Sequence, residues 1–190
     1  MNLIPIINEK TNIGEYIFYQ IGNNGPLLLI IINLLLLRKK TTFFVFYLIG
    51  YIFNILLNQI LKLLLFQPRP SIDKKTFDLA IKQMKNVNNY FDLISYDAVL
   101  GMPSGHAQGV FYSTTFLFLV LKPISHFLIF SFFSILVITI IQRVYYRFHT
   151  IAQILVGGII GIIYAYLVFT ITNKYKKGML KKRSEEYGPI

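Results

Sequence analysis

Long apolar runs constrain this chain more than any other feature. The segment TTFFVFYLIGYIFNILLNQILKLLLF, residues 41–66, is long enough to cross a hydrocarbon layer, which is roughly 30 Å thick and needs about 20 mostly apolar residues as a helix. Another run covers 22–37, interrupted by Asn24, Pro26 and Asn33 and extendable backward through YIFYQI. Further runs begin at PSGHAQGVFYSTTFLFLVL and PISHFLIFSFFSILVITII, and the last covers about 149–172. The pattern predicts an all-α, polytopic transmembrane helix bundle of about five spans, six if the N-terminal segment also enters the membrane. Composition agrees: 55% hydrophobic and 14% charged residues lie far from a soluble average. Residues 1–190 read as a single membrane-embedded domain.

Between the second and third runs lies a polar segment, 67–102, with an amphipathic helix expected around 74–86 and the character of a partial lid. The tail, 173–190, is basic. A net charge of +11 need not mean nucleic acid. The densest Lys and Arg clusters, RKK at 38–40 and KYKKGMLKKR at 174–183, sit just outside apolar runs, where cytoplasmic loops collect positive charge. A nucleic-acid reader would instead spread such residues over a solvated face. If 38–40 faces the cytoplasm, so do Lys122 and the tail, and that side holds the larger share of Lys and Arg. The N-terminus, the 67–102 segment and the 142–149 turn then share the opposite face. There is no cysteine, which removes disulfides, thiolate metal sites and cysteine nucleophiles. The N-terminus also lacks the pattern of a cleavable signal peptide.

Three polar blocks converge on that non-cytoplasmic face. The first, KLLLFQPRP, spaces Lys62 and Arg69 about two helical turns apart, on one face, with Pro68 and Pro70 ending the helix. The second, PSGH, is a helix start with Ser104 as N-cap. Its free N–H groups suit an anion, Gly105 leaves the backbone open to close approach, and His106 sits on the first turn. The third, QRVYYRFHTIAQ, holds Arg143 and His149, with Gln153 one turn beyond. No Asp or Glu occurs between Asp97 and Glu185 to pair with these cations, so the missing anion reads as substrate. Lys62, Arg69 and Arg143 with the amides near Ser104 and Gly105 would enclose a phosphate dianion. Two histidines beside it suit a nucleophile and a proton donor.

These blocks, in this order, resemble the type 2 phosphatidic acid phosphatase (PAP2) superfamily, whose pattern is K-x6-R-P, P-S-G-H and S-R-x5-H-x3-D. The resemblance covers about residues 55–170 and implies that catalytic core. It implies His149 as a nucleophile forming a phosphohistidine, and His106 as general acid. Phosphate would be bound by Lys62, Arg69, Ser104, Gly105 and Arg143, with no metal and no cofactor. Two positions depart from the pattern: Gln142 stands for serine and Gln153 for the aspartate that orients the histidine. A glutamine carbonyl can accept the Nδ1 hydrogen, while its amide can hold the other tautomer. The surroundings GMPSGHAQ and RVYYRFHTIAQILVGG resemble dolichyldiphosphatases, which carry glutamine there. The implied substrate is a polyprenyl diphosphate, dolichyl diphosphate, cleaved to the monophosphate at the luminal face of the endoplasmic reticulum. Alternatives are a phosphatidate or lysolipid phosphatase of the same superfamily, and a non-catalytic membrane scaffold that keeps the fold.

Plainer readings suit the remaining features. Arg147 reads as snorkelling to the interface, His126 as a turn residue without a role, and Gln108 as packing or support of the site. Tyr145, Tyr146 and Phe148 read as an aromatic belt, and Gly157, Gly158 and Gly161 as places where helices approach closely.

Overall fold

The structure is a computed structural model that describes residues 12–86 and 98–187. Among the described residues lie six helices: α1 (Ile13–Leu37), α2 (Thr41–Leu65), α3 (Lys74–Asn86), α4 (Gly105–Val120), α5 (His126–Tyr145) and α6 (Ile151–Tyr187). No strand occurs among the described residues. An all-α membrane bundle is what the apolar runs imply, and among the described residues four helices are long and apolar enough to cross: α1, α2, α5 and α6 up to Arg183.

The third expected span is shorter than its apolar run: α4 has 16 residues, about 24 Å at 1.5 Å per residue, and runs from the site end of the bundle to the 38–40 turn, where Lys40 Nζ donates to the Val120 carbonyl at 3.1 Å. It packs against α1, α2, α5 and α6 and is buried along nearly its whole length. A helix that is apolar all round with no polar face belongs in such a centre. Its polar residues find partners there: Asn33 of α1 donates from Nδ2 to the Ser113 carbonyl at 3.0 Å, and Tyr47 of α2 shares a 2.8 Å hydrogen bond with the Ser113 hydroxyl. Around these bonds stack the buried rings of Tyr47, Tyr112 and Phe116.

The first span also departs from expectation. It is one continuous helix starting at Ile13, nine residues before position 22, and Asn12 caps it by accepting from the Gly14 N–H. Asn24 does not interrupt it, because its amide donates back to the Gln20 carbonyl at 2.9 Å. The amphipathic helix expected near 74–86 is α3, whose start is capped by the Asp73 carboxylate accepting from Thr76. The rest of the expected lid, residues 87–97, lies outside the described residues, as does any membrane entry by residues 2–11.

Gly157 and Gly161 let α6 sit backbone to backbone on α4. A Cβ at Gly157 would lie 2.5 Å from the Ser104 carbonyl oxygen, and one at Gly161 would lie 2.4 Å from that of Gln108. By contrast α1 and α2 touch only sparsely, leaving a cleft floored by α4. One end of the bundle gathers the start of α1, the end of α2 and the 145–150 turn, as the sequence implies. There Tyr146 donates to Glu15 at 3.3 Å, and the Ser104 N–H donates to the Gln153 carbonyl at 3.0 Å.

Candidate active site

Lys62 occupies the last turn of α2 and is 3% exposed. That position favours a cation, since the helix carbonyls there carry partial negative charge. The helix does not run on to the prolines. It stops at Leu65, and Phe66 turns left-handed at φ 47 while its N–H donates to the Lys62 carbonyl at 3.0 Å. Arg69 is therefore not on the face of α2 that carries Lys62. It sits on the following segment, where Pro68 bridges Leu100, the Arg69 N–H donates to Val99 and the Gly101 N–H donates to Gln67. This short pairing returns Arg69 to the same cavity as Lys62.

α4 begins as the sequence implies. Ser104 is its N-cap, accepting from the Ala107 N–H at 3.4 Å, and is fully buried behind the cavity wall. Gly105 lines the cavity, and a Cβ there would stand 3.0 Å from Asn58 Oδ1, closer than an ordinary contact. Asn58 and Gln108 brace this turn. Asn58 Nδ2 donates to Gln108 Oε1 at 2.7 Å, and Gln108 Nε2 donates to Asn54 Oδ1 at 2.8 Å. His106 also lines the cavity, with Nε2 3.1 Å from the Asn23 carbonyl oxygen. A carbonyl only accepts, so that nitrogen carries the hydrogen.

Arg143, in the last turn of α5, is 4% exposed. Its Nη2 donates to Asn23 Oδ1 at 2.8 Å, and its guanidinium stacks 5.0 Å from the centre of the Phe148 ring. Its carbonyl accepts from the N–H groups of Phe148 and His149, which closes the turn. Arg147 lies at the exposed tip of that turn at φ 56, away from the cavity. Asn23 is a residue that the sequence reading missed. It touches both His106 and Arg143, and the signal was an asparagine pair, Asn23 and Asn24, in an apolar helix beside Pro26.

His149 precedes α6 rather than riding on it, so it does not share a helix face with Gln153. Thr150 and Gln153 form a reciprocal cap: the Gln153 N–H donates to Thr150 Oγ1, and the Thr150 N–H donates to Gln153 Oε1, both at 3.2 Å. His149 Nδ1 lies 2.9 Å from the Gly101 carbonyl oxygen and 3.3 Å from Gln153 Oε1. Nδ1 is thus the protonated nitrogen and Nε2 holds the lone pair. Burial, then the positive charges of Arg69 and Lys62 and the proximity of His106 and Arg143, push the imidazole from its ordinary 6.5 down to about 2. The ring is therefore neutral.

Lys62, Arg69, Gly105, His106 and His149 together line one cavity of about 360 Å³ between α1 and α2. Arg143 meets it through Asn23, while Ser104 and Gln153 lie behind its wall. Gln142 takes no part. It is fully buried against Gly22, and its amide has no hydrogen-bond partner among the described residues.

No curated protein and no solved structure matches the chain. The family model described as the PAP2 superfamily matches residues 43–177. That stretch is more than half of the sequence and contains all three polar blocks. A neutral histidine in a cavity of cations, inside a membrane helix bundle, thus coincides with a family of phosphatases, and the chain belongs to the PAP2 superfamily.

Proposed function

We propose that the protein is a membrane phosphatase that hydrolyses a polyprenyl diphosphate, dolichyl diphosphate, to the monophosphate and inorganic phosphate. The observation that carries the chemistry is the single cavity in which a neutral His149, with its lone pair on Nε2, faces the same space as Lys62, Arg69 and His106. Nε2 attacks the terminal phosphorus, and the bond from that phosphorus to the bridging oxygen breaks. His106 turns its Nε2–H from the Asn23 carbonyl to the departing oxygen. It then takes a proton from the water that attacks the phosphohistidine, which releases phosphate and restores His149. Lys62, Arg69, Arg143 and the Gly105 N–H balance charge on the equatorial oxygens, and Ser104 and Gln153 hold these groups in place.

The lipid class is supported by the cleft. Beyond the cations its walls are Pro26, Leu27, Ile30 and Ile55, with Leu27 and Ile55 54% and 48% exposed on the outside of the bundle. An apolar chain there would stay in the bilayer while its phosphate reached the cations. The resemblance around GMPSGHAQ and RVYYRFHTIAQ favours a polyprenyl diphosphate, and with it a luminal site in the endoplasmic reticulum. A phosphatidate-type lipid is the second reading. Tyr51, Asn54 and Gln59 also line the cavity, and their polar groups suit ester oxygens better than a prenyl hydrocarbon.

The test is phosphate release by detergent-purified protein from dolichyl diphosphate and from phosphatidate, with EDTA present and His149→Ala as control. Faster release from the diphosphate, lost in the variant, is expected. Preference for phosphatidate would overturn the substrate, and no turnover of either would move a scaffold role to the front.

A further inference from the structure

We propose that the backbone carbonyl of Gly101, rather than the side chain at 153, is the acceptor that orients His149, and that Gln153 is a positioning residue acting through its two N–H donors. The inference rests on the reading of His149 as the attacking group.

Backbone groups fix every orientation in this cluster, because their roles as donor or acceptor cannot be exchanged. Gln153 Oε1 faces the Thr150 N–H at 3.2 Å, so it is the oxygen. Nε2 faces the Pro68 carbonyl at 3.0 Å, so it is the nitrogen, and it also donates to Gln67 Oε1 at 3.0 Å. The side chain therefore ties the start of α6 to the 67–68 segment. That segment in turn holds Gly101, whose N–H donates to the Gln67 carbonyl at 2.7 Å. The Gly101 carbonyl is the shorter of the two acceptors at His149 Nδ1, 2.9 Å against 3.3 Å for Gln153 Oε1. A Cβ on Gly101 would stand 2.6 to 2.9 Å from all three atoms of the Gln153 carboxamide, so the two residues are in direct packing contact. A carboxylate at 153 would accept from Thr150 and His149 but would confront the Pro68 carbonyl, with no hydrogen to give.

Gln153→Glu separates the two arrangements because it keeps shape and acceptor while removing both donors. If Gln153 Oε1 oriented His149, the glutamate would do so better and turnover would hold or rise. The expected result is instead a fall in kcat of about tenfold or more, with loss of the right tautomer, about 10⁴, as the upper bound. Histidine-selective ¹⁵N NMR supplies a readout that needs neither a variant nor turnover. In the wild type His149 should show a protonated Nδ1 and an unprotonated Nε2. A wild-type His149 protonated on Nε2, or a glutamate variant within about twofold of wild-type kcat, overturns the proposal. Wild-type protein that turns over no lipid phosphate would instead sink the phosphatase reading, and the NMR tautomer would still show whether Nδ1 carries the hydrogen that the Gly101 carbonyl accepts.

Discussion

Replacing Gly157 with alanine tests whether the seating of α6 on α4 sets the site geometry. The added Cβ would fall 2.5 Å from the Ser104 carbonyl oxygen and 3.2 Å from the Ser104 nitrogen, where ordinary contacts begin at 3.4 Å. Both atoms are backbone at a buried helix start, so neither can swing aside as a side chain would. Relief needs α6 to withdraw by about 1 Å, the difference between a clash and a contact. That shift would stretch the 3.0 Å bond from the Ser104 N–H to the Gln153 carbonyl past useful length. It would also carry the 149–153 segment away from His106 and Gly105. Overpacking of this kind costs about 1–3 kcal/mol of stability, and a 1 Å misplacement at the chemistry costs about a hundredfold in rate. The assay is kcat on a lipid phosphate together with the thermal midpoint in detergent. Gly178→Ala is the control, because nothing lies within 4 Å of a Cβ there. The control should keep wild-type activity. A Gly157→Ala protein with unchanged kcat and midpoint would refute the reasoning.

Two further predictions follow from the polar network. Asn23→Ala removes the 2.8 Å bond from Arg143 Nη2 to Asn23 Oδ1. A hydrogen bond to a charged group contributes about 1.5–3 kcal/mol, so KM for a lipid phosphate should rise by about tenfold or more, with a smaller change in kcat. Burial and the surrounding cations hold His149 far below its ordinary value of 6.5, so the native protein refuses a proton that the unfolded chain accepts. Its contribution to stability is therefore complete above about pH 6.5 and declines as the pH falls below that. Thermal midpoints at pH 7.5 and pH 5 should differ more for the wild type than for His149→Ala.

Much of this site could be read from residue order because its chemistry is carried by short blocks. PSGH becomes a capped helix start, and Gly157 and Gly161 become the bare face of α6, for reasons local to their own segments. Other features depend on partners far along the chain. Asn23 and Arg143 are 120 residues apart, and no periodicity links them. The end of α2 was misplaced because the prolines announce a stop, whereas the actual stop is a left-handed phenylalanine, which carries no signal for that conformation. That α4 is enclosed by four other helices was hidden, because apolar composition is the same whether a helix faces lipid or protein. The role of Gly101 was hidden for a similar reason: what it offers His149 is a carbonyl, which every residue has.

The central claim is that His149 attacks phosphorus, and trapping the intermediate tests it most directly. Protein mixed with ³²P-labelled lipid diphosphate would be quenched in alkali within the turnover time, digested and sequenced by mass spectrometry. The account predicts an acid-labile, alkali-stable phosphate on His149 that is absent from His149→Ala and accumulates in His106→Ala if hydrolysis needs that base. Turnover without a phosphoenzyme, or a phosphate carried by any other residue, would contradict it.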